Sequence, residues 1–152
     1  MILLNNGVKM TDYISIFREN PKTGERTLLL QEENVTITAY RARVMNRMSS
    51  VTAIDVISVT QMSWGTGVAP AASGDSDLAA LLLTKGLNNT PLVSGDSIVY
   101  EGRLDLTEGN VSLREVGLKT SDNLLAARVN ISIDKAPTEI LVFTWTKSVI
   151  GT

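Results

Sequence analysis

The chain has 152 residues, of which 43% are hydrophobic and 20% charged, with a formal net charge of −2. That length suits one autonomous domain burying roughly two-thirds of its unfolded surface, and the composition is too apolar for intrinsic disorder. The small charge argues against a dedicated nucleic-acid or anionic-membrane binder, and no apolar run approaches the ~18 residues of a membrane span.

Two absences narrow the chemistry. There is no cysteine and no histidine. These residues therefore hold no disulfide framework, no thiolate nucleophile and no Cys-bound metal, and they lack the commonest general base near neutral pH. Ser–His–Asp, Cys–His and HExxH sites cannot be built from them. Paired carboxylates, a Ser–Lys dyad or a bound Mg²⁺ would be needed instead, and none has a recognisable motif. The expectation is a non-enzymatic protein without a cofactor. The opening MILLNNGVKM has no basic stretch leading into an apolar one, so no signal peptide is expected. Without that context, the Asn-x-Ser/Thr tripeptides at Asn34, Asn88, Asn110 and Asn130 read as turn and strand composition rather than glycosylation sites.

In chain order, residues 1–11 read as an N-terminal arm, with a turn at Asn5-Asn6-Gly7 and an alternative start at Met10. Residues 12–152 read as a single β-rich domain. Tyr13–Phe17 and Arg26–Gln31 are strands of a hairpin that turns at Asn20–Gly24. The period then changes: Ile37, Tyr40, Val44, Met45 and Met48 recur every three to four residues, as on one face of a helix. Thr36 or Thr38 can cap its start, and Arg41, Arg43 and Arg47 form a solvated face.

Val51–Met62 is long, apolar and β-branched, which favours a strand. The Gly-x-Gly of Trp64-Gly65-Thr66-Gly67 is followed by proline and small residues, so it reads as a turn rather than a dinucleotide fingerprint. Asp75 and Asp77 could hold a hard cation, but a helix cap at Asp75 or Ser76 before a short helix Leu78–Leu83 is the better reading. Ser97–Thr107 alternates strictly, with Ile98, Tyr100, Gly102, Leu104 and Leu106 on one face. A tight turn at Glu108-Gly109-Asn110 should pair it antiparallel with the strand from Val111. A further hairpin turns at Thr120–Asn123, and Leu125, Ala127, Val129, Ile131 and Ile133 alternate inward. The last strand, Glu139–Val149, places Phe143 and Trp145 on one face.

The fold class is therefore α+β, mainly β: an antiparallel, β-sandwich-like meander covered by one or two short helices. Leu118, Leu125 and Trp145 belong to the core. Gly117 within a strand marks a bulge or a close backbone approach. Arg114 and Glu115 point to opposite faces, so one turns inward. A buried Glu115 needs a cationic, hydrogen-bonded partner, for which Arg103 and Arg128 on neighbouring strands are the candidates, as a structural ion pair.

Several of these residues occur in a familiar order. Glu33-Asn34 precedes the helix; Trp64-Gly65-Thr66-Gly67 leads into Ala69-Pro70-Ala71-Ala72 and Asp77-Leu78. Then come Arg114-Glu115-Val116-Gly117-Leu118, Asn123-Leu124-Leu125-Ala126-Ala127-Arg128, Lys135 and the closing Phe143-Thr144-Trp145-Thr146. This run resembles the N-terminal domain of tail-collar and tail-fibre proteins of tailed phages. The resemblance implies a virion structural protein, assembled in the bacterial host cytoplasm. It would work by self-association, with a trimer as the first expectation, and by binding other capsid or tail proteins. Because the chain stops at Thr152, before any shaft or tip, the expected role is a collar or fibre-attachment adaptor or a capsid-decorating protein. The alternative is a receptor- or carbohydrate-binding module in which Trp64 or Tyr100 stacks on a sugar.

Overall fold

The computed structural model describes residues 2–4, 8–49 and 56–151. The chain is mainly β, with two antiparallel sheets and one helix among the described residues. It divides into two compact units. One comprises Met1–Asn34, Leu87–Val111 and Asp134–Thr152; the other comprises Val35–Gly86 and Ser112–Ile133. The chain passes from one unit to the other after residues 34, 86, 111 and 133. None of these passages is a Gly/Ser- or Pro-rich linker, and the sequence shows no internal boundary.

The first unit is built on β1 (Ile2–Leu4), β2 (Val8–Glu19), β3 (Arg26–Glu33), β7 (Leu92–Ser94), β8 (Ser97–Leu104) and β11 (Ile140–Gly151). The strand order is β1-β2-β11-β8-β7, with β3 also pairing β2. Residues 2–4 and 8–11, expected as part of an arm, are thus strand residues, and β1 pairs antiparallel with the start of β2. The hairpin of β2 and β3 turns where expected, with Gly24 at a positive φ of 73°. In register, Trp145 lies between Ile14 and Tyr100, and Phe143 between Ile16 and Gly102. Ile14, Ile16, Phe143 and Trp145 are fully buried, and Tyr100 and Leu104 are buried with them. The alternation read in Ser97–Thr107 holds only as far as Leu104, where the strand ends: Tyr100, Gly102 and Leu104 are buried while Glu101 and Arg103 are half-exposed, and Leu106 beyond it is exposed.

The expected pairing of this strand with the next is not made. β8 pairs with β11 and β7, whereas β9 (Ser112–Thr120) belongs to the other sheet. The segment between them is tied down locally instead. The buried ammonium of Lys135 donates to the Asp105 carbonyl (2.8 Å) and to Asn110 Oδ1 (2.7 Å), and the Lys135 N–H donates to the Val111 carbonyl. Burial holds the Lys135 pKa below its usual value. These bonds satisfy the Asp105 and Val111 carbonyls, and Gly109 turns the segment at φ 61°.

The second unit holds β4 (Val35–Thr36), α1 (Thr38–Ser49), β5 (Val59–Gly65), β6 (Leu81–Gly86), β9 and β10 (Leu125–Asp134), in the order β4-β10-β9-β5-β6. The helix lies where its period placed it. Its first N–H donates to the Ser73 carbonyl, and the Ile37 carbonyl accepts from Arg41. Only part of the apolar stripe is used: Ile37 and Tyr40 are buried, but Met45 and Met48 are 54% and 74% exposed. Tyr40 Oη donates to the Ile57 carbonyl, and Arg43 pairs with Asp122 at 2.7 Å. The expected strand Val51–Met62 begins outside the described residues, and its described part enters β5 only at Val59.

The second expected helix, Leu78–Leu83, does not form. Leu81–Gly86 is strand β6, paired antiparallel with β5. Its three consecutive leucines fit either structure by periodicity, and pairing with β5 decides between them. The β9–β10 hairpin turns at the expected place, with Asn123 at φ 65°, a conformation that asparagine tolerates better than most residues. No helix among the described residues is long and apolar enough to cross a membrane.

Candidate functional site: a loop clamped on a buried carboxylate

Strands β9 and β10 carry Glu115 and Lys119, and Arg128 and Asn130, at spacings that put each pair on one strand face. All four side chains reach the segment between β5 and β6, residues 66–80. Glu115 is 0% exposed and Arg128 2% exposed. Arg128 Nη2 lies 2.8 Å from Glu115 Oε2, and its Nε donates to the same oxygen at 3.1 Å. The carboxylate also accepts three backbone N–H groups: Gly67 (3.0 Å) and Ala80 (2.7 Å) on Oε1, and Ala79 (2.8 Å) on Oε2. A buried charge is tolerable when its lone pairs are filled in this way.

The remaining donors of Arg128 continue the clamp. Nη2 donates to the Ala69 carbonyl at 2.7 Å, and Nη1 pairs with Asp75 Oδ2 at 2.6 Å. Asp75 also accepts the Ala72 N–H; that bond and the Arg128 guanidinium hold its carboxyl below the usual range against the upward push of burial. Asn130 fills one more gap from both ends of its amide, accepting from Ala71 N–H (2.7 Å) and donating to the Ala69 carbonyl (3.0 Å). The buried ammonium of Lys119 lies 2.8 Å from Asp77 Oδ1.

The glycines of the Gly-x-Gly pack directly against the carboxylate. A Cβ on Gly65 would sit 2.5 Å from both the Ala80 carbonyl oxygen and Glu115 Oε1; on Gly67 it would meet the same carboxylate oxygen and Ala79 Cβ at 2.6 Å. Gly117 has a comparable role, since a Cβ there would lie 2.8 Å from Leu125 Cδ1 and 3.1 Å from Leu78 Cδ2. Of the two readings for Gly117, the close approach is the one seen. Strand β10 is buried at Ala126 and Arg128 as well as at Leu125, Ala127 and Val129, and Arg128 is held against the loop.

Glu115 and Arg128 are brought together, and Arg103 is not with them. Arg103 belongs to the first unit, where it pairs with Glu19 (2.6 Å) and Asp105 (2.8 Å), while Arg26 pairs with Glu19 and Glu101. Burial pushes the Glu19 carboxyl up, but its hydrogen bonds to Arg103 and Arg26 bring it net below the usual value. Asp75 caps no helix, and both it and Asp77 are neutralised by cations rather than paired with each other. Leu118, Leu125 and Trp145 are fully buried. Trp64 and Tyr100 are buried too, so neither can stack on a sugar.

Sequence reading missed Asn130, Lys119 and the three backbone donors. Backbone N–H groups leave no mark in a sequence, and Asn130 stood out only as part of a glycosylation tripeptide. Chemically, the site commits its charge to holding backbone. Among the described residues no group of three or more acidic side chains is placed to hold a metal ion. Compared with protein-family models, curated proteins and solved structures, the chain matches none.

Proposed function

We propose that this chain is a non-enzymatic structural protein of a tailed-phage particle, a tail-collar or fibre-attachment adaptor or a capsid-decorating protein. It works by self-association and by binding other virion proteins. One observation carries the reading. Several of the residues behind the resemblance to tail-collar and tail-fibre domains, scattered in sequence between Gly65 and Arg128, converge on the clamped loop. Gly65 and Gly67 wall it, Ala69 and Ala72 are tied by it, and Glu115, Gly117 and Arg128 build its floor. A device that orders a surface loop, with its charges consumed internally, fits assembly better than turnover.

The test has two arms. Sedimentation of the full chain is expected to give a closed homo-oligomer, a trimer first. Purified particles probed by quantitative mass spectrometry and imaged by electron microscopy are expected to contain the chain at a symmetric position. A clean monomer at high concentration, together with absence from particles, would refute the proposal. The receptor- or carbohydrate-binding alternative loses both of its stacking residues to the core. Binding on a glycan array would revive it.

A further inference from the structure

Three lysines are buried among the described residues: Lys119, Lys135 and Lys147. Two of them face a carboxylate, Lys119 on Asp77 at 2.8 Å and Lys147 on Asp12 at 3.4 Å. Lys135 is the exception. Its Nζ, on a residue 5% exposed, faces neutral oxygens: Asn110 Oδ1 at 2.7 Å, the Asp105 carbonyl at 2.8 Å and the Ala136 carbonyl at 3.5 Å. The carboxylates of Asp105, Glu108 and Glu139 act on it only from further off, and burial outweighs them in lowering its pKa. A buried cation with no counter-ion in contact is costly, and giving up the proton removes that cost. The amine left behind is a nucleophile.

What that amine meets is an amide carbon. A carbonyl bond is ~1.23 Å long, so the 2.7 Å contact with Oδ1 puts Asn110 Cγ no more than about 3.9 Å from Nζ. Reacting atoms in near-attack geometry are about 3–3.5 Å apart. The amide is held from its other end too, with Nδ2 donating to the Leu106 carbonyl at 2.9 Å. The Lys135 N–H donates to the Val111 carbonyl, which keeps the two backbones side by side. We infer that Lys135 and Asn110 join in an intramolecular isopeptide bond. The Lys135 nitrogen bonds to Cγ, the Cγ–Nδ2 bond breaks, and one amine proton leaves with Nδ2 as ammonia; nothing is oxidised or reduced. Glu108, two residues before Asn110 and one of the carboxylates whose field reaches Lys135, carries the proton between the two nitrogens. The bond lies beside the points where the chain leaves the first unit, after Val111, and returns to it, at Asp134. It gives a chain without cysteine the covalent tie that a disulfide would supply elsewhere.

The experiment weighs the purified, denatured full-length chain by mass spectrometry. Wild type is expected to be one ammonia lighter than its sequence, and proteolysis is expected to release a branched peptide joining Asn110 to Lys135. Lys135→Arg and Asn110→Ala are expected at full sequence mass. Asn110 is exposed, so its replacement removes the bond without emptying the core. Glu108→Gln, followed from freshly made chain, is expected to form the bond about ten-fold more slowly or worse. Wild type at full mass after prolonged incubation, or without the branched peptide, overturns the inference. An ammonia deficit that persists in Lys135→Arg would be Asn110 closing on its own backbone, and one that persists in Asn110→Ala would lie at another residue; either overturns it. Glu108→Gln reacting at the wild-type rate removes Glu108 from the reaction.

Discussion

Replacing Glu115 by glutamine tests whether the carboxylate holds the loop or merely balances Arg128. Gln has the same shape, but one of its two polar atoms is an NH₂ group. Placed at the Oε1 position it faces the N–H groups of Gly67 and Ala80; at the Oε2 position it faces Ala79 N–H and Arg128. Both orientations set donor against donor. Arg128, 2% exposed, keeps only Asp75 as a counter-charge. Breaking a buried pair from one side costs about 3–5 kcal/mol. At ~2–4 °C per kcal/mol for a chain of this size, the melting temperature should fall by roughly 6–20 °C in scanning calorimetry.

The double variant Glu115→Met/Arg128→Met sharpens the test. For a simple buried ion pair, exchanging both partners for apolar residues of similar volume is often neutral or stabilising. Here it leaves the N–H groups of Gly67, Ala79 and Ala80 without their acceptor, at about 1–3 kcal/mol each if they stay buried. The double variant should therefore remain clearly destabilised. Recovery of the wild-type melting temperature, or a Glu115→Gln protein melting within about 2 °C of wild type, would show that the loop does not depend on this carboxylate.

Three further outcomes follow from the same geometry. Gly67→Ala should cost about 1–3 kcal/mol by overpacking against Glu115 and Ala79, read as a drop in the denaturation midpoint, whereas Gly74→Ala, with open space around its Cα, should cost less than 1 kcal/mol by the same measure. Asp75 has a depressed folded pKa, so its contribution is fully present above the ordinary carboxylate value of 3.8 and is lost as pH falls through the lower folded value. Amide exchange at Ala72 should accordingly stay protected down to about pH 4 and rise beyond the intrinsic pH trend only below it; early loss near pH 6 would contradict the Asp75–Arg128 link. Asn130→Ala should loosen residues 69–71 without changing the global unfolding midpoint by more than about 1 kcal/mol, detectable as faster exchange of the Ala71 N–H, and unchanged exchange there would remove Asn130 from the clamp.

Much was legible in the sequence because it is local. Period-2 alternation from Ile98 to Leu104, the 3.6-residue period from Ile37, and turn residues at Asn20–Gly24 and Thr120–Asn123 are each set by a few neighbouring side chains. The structure keeps every one of these. The inward turn of Glu115 and its need for an arginine are local arguments too, because a strand must send adjacent residues to opposite faces. Composition alone removed histidine and cysteine chemistry.

The tertiary structure decided what depends on residues distant in sequence. Leu81–Gly86 is a strand because β5 offers it an unpaired edge, not because its leucines exclude a helix. Strand β8 pairs with β11 and β7 rather than with its sequence neighbour β9, and Lys135, far along the chain, ties down the segment that follows β8. Between two candidate arginines, Arg128 rather than Arg103 meets Glu115, since register and sheet membership, not spacing, place charges side by side. The Gly-x-Gly acquires its meaning the same way: a carboxylate some fifty residues later fills the space where two Cβ atoms would stand. Local sterics determine the elements. Which buried charge meets which backbone donor is settled only when the chain closes on itself.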